Sequence, residues 1–322
     1  MKKYLVSWII FQIISGQIAY AQVKNFTKEP LTNSIFWEIT GKNLTRPSYL
    51  FGTHHLYDYE FLKLSEPIQK KFPSVDVVFG EIVMDSTDMN LMLKAAMAMV
   101  MKDNTLDQLL TAEQFEQTDR VLKDVTDGMI SAKMLNKFKP MVVQQMIMIG
   151  KFVKAYQKDK SQFQLNNGIS GASNSMDIYF QTFAKQLGKE LEGLETVDDQ
   201  LKVLFDSYSL QRQVEMLMEV VQDKAGFLTQ ELNQMNTLYQ QQNLNGLLEL
   251  MQRSMKKEEI KTLLIDRNLK WIPVLEKTWA KGKSAFIAVG AGHLPGEFGI
   301  INLLRKKGYT VTPIPITVPE MK

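Results

Sequence analysis

"SYLFGTHHLYD", residues Ser48–Asp58, decides the fold: an apolar run reaches a glycine, and two histidines follow at once. The chain has only three histidines, and the third stands in "AFIAVGAGHLPGE", Ala285–Glu297, where another apolar run reaches Gly290 and His293 follows three residues later. Short apolar runs bounded by turn residues read as buried strands. Glycine at their ends lets the backbone turn sharply and approach a ligand closely. A third run, "VDVVFGEIVMD", ends in Gly80-Glu81. Groups just past the carboxyl ends of strands line the binding crevice of an open α/β sheet. His55, Glu81 and His293 are therefore the candidate site residues. The repeated Gly-x-x-His spacing selects His55 over His54, because neighbouring side chains of an extended chain point to opposite faces.

Working outward, Ile35–Thr40 and Ser48–Phe51 read as strands joined through a Gly-Lys-Asn turn, a β-hairpin that delivers the histidine pair at a strand end. "SEPIQKKF" predicts a short helix with proline near its start, and Asp76–Phe79 the next strand. A parallel βαβ step is the simplest link between them. From about residue 87 to about residue 280 the pattern is mostly helical. "TAEQ", Thr111–Gln114, matches a capping box, and Pro140 opens another helix. Helices are expected over Asp177–Leu187 and Asp198–Asp223 with a strand in "KELEGLE" between them, then in "TLYQQQNLNGLLELMQRSM" and "TLLIDRNLKWIPVLEKTW". Strand Ser284–Val289, helix Phe298–Lys307 and strand Thr310–Ile314 close the chain. The expectation is an α/β (α+β) fold: one domain over 22–322, a mixed sheet built from both chain ends, and a large helical insertion that covers or caps it. The twice-used strand, glycine and histidine pattern also admits two related halves.

Composition narrows the function. With 45% hydrophobic and 23% charged residues the chain is ordinary for a globular protein. Lys2 and Lys3, an apolar run from Tyr4 to Ile14 and Ala19-Tyr20-Ala21 read as a signal peptide over 1–21. Its apolar run is interrupted and shorter than the ~20 residues that span a bilayer. A soluble exported protein, periplasmic or secreted, is expected. No cysteine occurs, which excludes disulfides and thiolate chemistry. The formal charge of +3 falls by two when Lys2 and Lys3 leave, so no nucleic-acid footprint is expected.

Two imidazoles and a carboxylate are the ligand kit of a catalytic zinc site or, with more water, of manganese or cobalt. Such an ion makes hydroxide available near neutral pH, and hydrolysis becomes the reaction class. Taken singly, each residue has a plainer role: a histidine after a strand commonly makes a surface hydrogen bond, and Glu81 can cap a turn. Their joint pattern carries the argument. Asp58 and Asp85 are spare carboxylates read as cap or loop residues. The methionines Met84, Met89, Met92, Met97, Met99, Met101, Met141, Met146 and Met148 read first as flexible core filler. An adaptable groove for peptides ranks second, and a copper(I) site third.

The segments "YLFGTHH", "VVFGEIVMD", "MDIYFQTFAKQLGKELEGLETVDDQ", "IDRNLKW" and "AFIAVGAGHLPGEFGIINLLRKKGYTV", in this order, resemble the TraB/GumN family, which is related to the Tiki metalloproteases. The resemblance spans almost all of the chain after its leader. It implies a metal-dependent hydrolase fold, with peptides as substrates in Tiki and with pheromone inhibition or breakdown associated with TraB. The family histidines fall on His55 and His293, its strand-end glutamate on Glu81, and further recurring positions on Glu195 in "GLET" and Arg267 in "DRN". This implies a metal on His55, Glu81 and His293, with Glu195 as the base that takes a proton from water. Arg267 would stabilise an oxyanion or hold a substrate carboxylate. Glu81 as base with Glu195 as ligand is the alternative. A non-catalytic peptide binder is a rival reading. The wider superfamily resembles erythromycin esterases and haem-binding iron-regulated proteins. It adds metal-free ester hydrolysis and a haem site using His54, Tyr57 or Tyr59.

Overall fold

The computed structural model describes residues 30–320 except 43, 56, 58, 84–88, 157–174 and 224–225. The signal peptide expected over 1–21, Asp58, Met84 and Asp85 lie outside the described residues. Six strands make one sheet: β1 (Phe36–Thr40), β2 (Ser48–Thr53), β3 (Val77–Gly80), β4 (Glu190–Gly193), β5 (Ala285–Gly290) and β6 (Thr310–Pro313). Their spatial order is β4-β3-β5-β2-β1-β6. The chain is α/β with a mixed sheet, and the carboxyl-terminal strands sit beside amino-terminal ones as the sequence predicts.

Direction within the sheet follows from side-chain surroundings. β2, β3 and β5 are buried along their whole lengths, as parallel strands covered on both faces must be. β2 pairs parallel with β5, β5 with β3, and β3 with β4. β1 runs antiparallel to both β2 and β6. β2 and β3 run parallel, as the βαβ step requires, and β5 from the far end of the chain pairs between them. Buried runs as apolar as these carry no register mark that sequence alone can read.

Alternation splits the two faces. On one, Phe51 and Phe286 meet Phe180 of the helix Met176–Gln186, with ring centroids 5.0 and 4.9 Å apart. On the other, Ser48 Oγ accepts from Trp279 Nε1 of the helix Asp266–Ala280 at 3.0 Å. Ser175 starts the first of these helices by accepting from the Ile178 N–H, and that start fixes Asp177 in its first turn.

The helical middle builds a second core of its own. Leu106, Leu122, Val143, Ile147, Leu217 and Val220 gather there away from the sheet. The capping box at Thr111–Gln114 forms, and Pro140 opens the helix Pro140–Tyr156. Residues 89–156 are mostly helical as expected, in several helices with a turn region near 126–139, and Val100 bridges Phe138. One expectation is corrected: the single helix expected over Asp198–Asp223 is two, Val197–Asp206 and Leu210–Val221. Ser209 causes that break, since its hydroxyl accepts from the Arg212 N–H and starts a new helix.

Candidate active site

Four parallel strands end along one edge, and each ending delivers a polar residue. In spatial order, β4 leads to Glu195, β3 to Glu81, β5 to His293 and β2 to His55. The register aligns them: Gly80 lies opposite Gly193, and Thr53 opposite Gly290. The glycines serve close approach. A Cβ on Gly52 would stand 3.1 Å from the Ala291 backbone, and one on Gly290 would stand 3.3 Å from Glu81 Oε1. That Glu81 oxygen accepts from the Gly290 N–H at 2.9 Å, a bond a side chain there would crowd.

Arg267, from the helix on one face of the sheet, joins three of these four endings. Its Nη2 donates to Glu81 Oε2 at 2.6 Å and to Glu195 Oε1 at 2.6 Å. Its Nε bonds both Glu195 oxygens, at 3.2 and 3.0 Å. Its Nη1 donates to Leu263 O at 3.0 Å and to His293 Nε2 at 3.1 Å. A guanidinium has five N–H groups, and every nitrogen of this one has an acceptor within the protein. An oxyanion or substrate carboxylate would have to displace one of them. Arg267 is therefore placed to fix the site's charges, while the substrate-holding role inferred for it requires rearrangement. Trp271, one turn on, stacks beside both Arg267 and the His293 ring and donates to Glu195 Oε2 at 3.3 Å.

His55 is reached from the other face. Asp177 Oδ2 stands 2.6 Å from His55 Nδ1, while Asp177 Oδ1 accepts from the Thr53 hydroxyl at 2.9 Å. His293 Nδ1 lies 2.7 Å from Asn268 Oδ1. The His55 side chain keeps 23% of its exposure against 5% for His293, so the open side of the site is at His55. Asp177, Asn268, Trp271 and Gln200, which donates to Glu81 Oε2 at 3.2 Å, are site residues that the sequence reading did not single out.

Burial and charge then pull the groups apart. Burial pushes the Glu81 carboxyl up, but Arg267, His293 and His55 outweigh it and hold Glu81 well below the usual carboxylate range. Burial raises Glu195 more than Arg267 lowers it. For His293, burial and then Arg267 lower the imidazole to about 3, which keeps it neutral. Burial also lowers His55, yet the Asp177 carboxylate more than offsets this and raises it.

The donor set fits a divalent cation in kind. Each imidazole has Nδ1 engaged by a helix side chain, the usual state of a metal-ligating histidine, which directs Nε2 toward the site. Glu81 is held ionised beside them. Among the described residues no three His, Cys, Asp or Glu side chains stand grouped to hold a metal ion, and the Arg267 guanidinium already bonds both Glu81 and His293 Nε2.

The other residues weighed from sequence sort by packing. The His54 ring packs against Tyr57 and Tyr239 at 5.8 and 5.0 Å, and burial and then His55 lower it to about 3. The Tyr57 hydroxyl donates to Pro319 O, and Tyr59 stacks on Tyr179. Met99, Met101, Met141 and Met148 are buried, while Met89 and Met97 are exposed. Among the described residues no helix is long and apolar enough to cross a membrane.

Residues 35–313 match the TraB/PrgY/gumN family. No curated protein matches the chain.

Proposed function

The chain belongs to the TraB/PrgY/gumN family, and on that premise we propose that it is an exported hydrolase of peptide bonds that uses a divalent metal ion, manganese, cobalt or zinc. The observation that carries this reading is the convergence of His55, Glu81, His293 and Glu195 from four neighbouring strand ends. Peptide as the substrate class rests on the resemblance to the Tiki metalloproteases, and export on the signal-like first 21 residues. His55, Glu81 and His293 would hold the ion. Bound there, it supplies Lewis acidity that makes water a usable nucleophile near neutral pH.

The chain's own groups have separable tasks. Glu195, its carboxyl raised by burial, is the residue suited to receive a proton from water. Arg267 keeps Glu81 ionised and caps the charge of the pair. Asp177 and Asn268 hold the two imidazoles at Nδ1. Trp271 covers His293 from bulk water.

One observation favours a second reading, hydrolysis without metal. Arg267 Nη1 stands 3.1 Å from His293 Nε2, a site a metal would use, and the His55–Asp177 pair has the form of a base with its orienting carboxylate. Incubating the purified protein with a peptide library, with and without a strong chelator, separates the readings. Cleavage lost on chelation and restored by one metal supports the first. Cleavage indifferent to chelation supports the second, and no cleavage under any condition leaves a peptide binder.

A further inference from the structure

Asn268 can be oriented without ambiguity. Its Nδ2 donates to His293 O at 3.1 Å and to Phe298 O at 2.9 Å, so both amide protons go to backbone carbonyls. A flipped amide would set its oxygen against two carbonyl oxygens. Asn268 Oδ1 must therefore be the atom facing His293 Nδ1 at 2.7 Å, and an amide oxygen only accepts. The proton of the neutral ring is on Nδ1, and Nε2 carries the lone pair. The guanidinium donating to Nε2 from the far side demands the same tautomer.

Two consecutive residues thus address the two nitrogens of one ring. Neighbours on a helix point about 100° apart, so this pincer requires the His293 ring to lie edge-on between them. The helix carrying the pair is entered through a π turn, Lys261–Ile265, a feature common at functional sites. Leu263 O, inside that turn, accepts from Arg267 Nη1.

We propose that Asn268 is a positioning residue that fixes His293 as the Nδ1-protonated tautomer and so reserves Nε2 as the donor atom of the site. Its importance for chemistry rests on the metal reading above; the tautomer itself does not, so the two can fail separately.

The test is a long-range proton–nitrogen spectrum of the full chain, labelled with nitrogen-15 and stripped of metal, from about pH 5 to about pH 8. Three histidines give three ring patterns, assigned with His55→Gln and His293→Gln. His293 is expected to show one pattern, Nδ1 protonated and Nε2 bare, unchanged across the range. Asn268→Asp, which keeps an acceptor oxygen, should retain the Nδ1 proton. Asn268→Leu should lose the single pattern, and Asn268→Ala replaces it if the leucine variant does not fold. An Nε2-protonated or doubly protonated ring in the parent protein overturns the proposal. So does an unchanged pattern in the variants without an acceptor, because Arg267 alone would then set the tautomer. Metal affinity in Asn268→Leu should fall about 10- to 100-fold.

Discussion

The two Gly-x-x-His strand ends share a spacing and differ in what stands behind the ring. Behind His55 is a carboxylate, Asp177; behind His293 is an amide, Asn268. The first ring is partly open and raised in basicity, and the second is enclosed and held neutral. A repeated motif has been given unlike chemistry by residues on two helices packed against opposite faces of the sheet. Identical spacing reports where a side chain is placed, and its helix neighbours decide what it does there.

The largest way to disturb this comparison is to remove the charge both rings face. Arg267→Met leaves Glu81 and Glu195 buried without their partner, and such a loss costs about 3–5 kcal/mol. Urea unfolding should show it as a lower midpoint at neutral pH. Little change would mean that the two carboxyls reach solvent or take up protons freely.

Acid stability probes each ring separately. His293 lies at about 3 in the fold against an ordinary 6.5. As pH falls below about 6.5 the unfolded chain binds this proton and the folded one does not, so stability declines from there down to about 3. His55, raised, works the other way: its contribution is present below 6.5 and is lost as pH rises through its folded value. In metal-free protein His293→Gln should make the decline between about pH 6.5 and about pH 4.5 shallower, leaving the part that His54, also lowered to about 3, contributes over the same window. His55→Gln should not reduce it.

Asp177→Asn makes the two rings alike. It should lower metal affinity or turnover about 10- to 100-fold, measured by titration calorimetry and by peptide cleavage, while unfolding midpoints move little. Should it leave both unchanged, the carboxylate behind His55 has no functional consequence. The smallest effect concerns the floor beneath His54, where the Tyr239 hydroxyl donates to Gly52 O at 2.8 Å. Tyr239→Phe should cost about 1 kcal/mol of stability without altering metal affinity.

Much of the site was legible because its residues follow a visible sign, an apolar run ending in glycine. Glu81, His55 and His293 stand at such places, and Glu195 and Arg267 came with the family resemblance. Asp177 carried no such sign. In "SNSMDIYF" an acid in a helix's first turn is what the helix dipole alone would favour, and only folding reveals that it reaches a histidine 122 positions away. Asn268 was hidden beside Arg267 inside a helical pattern for the same reason. The place of β5 between β2 and β3 was not legible, since three equally apolar runs offer no preference for neighbours, while the break at Ser207–Ser209 hid in an otherwise periodic stretch.

The central claim is that residues from opposite ends of the chain share one metal site. Elemental analysis of the purified protein, with His55→Ala and His293→Ala alongside after loading with manganese, cobalt or zinc, tests it most directly. One equivalent in the parent, lost from each variant while circular dichroism stays native, is the predicted result. Metal retained by both variants, or absent from the parent at every loading, would contradict it.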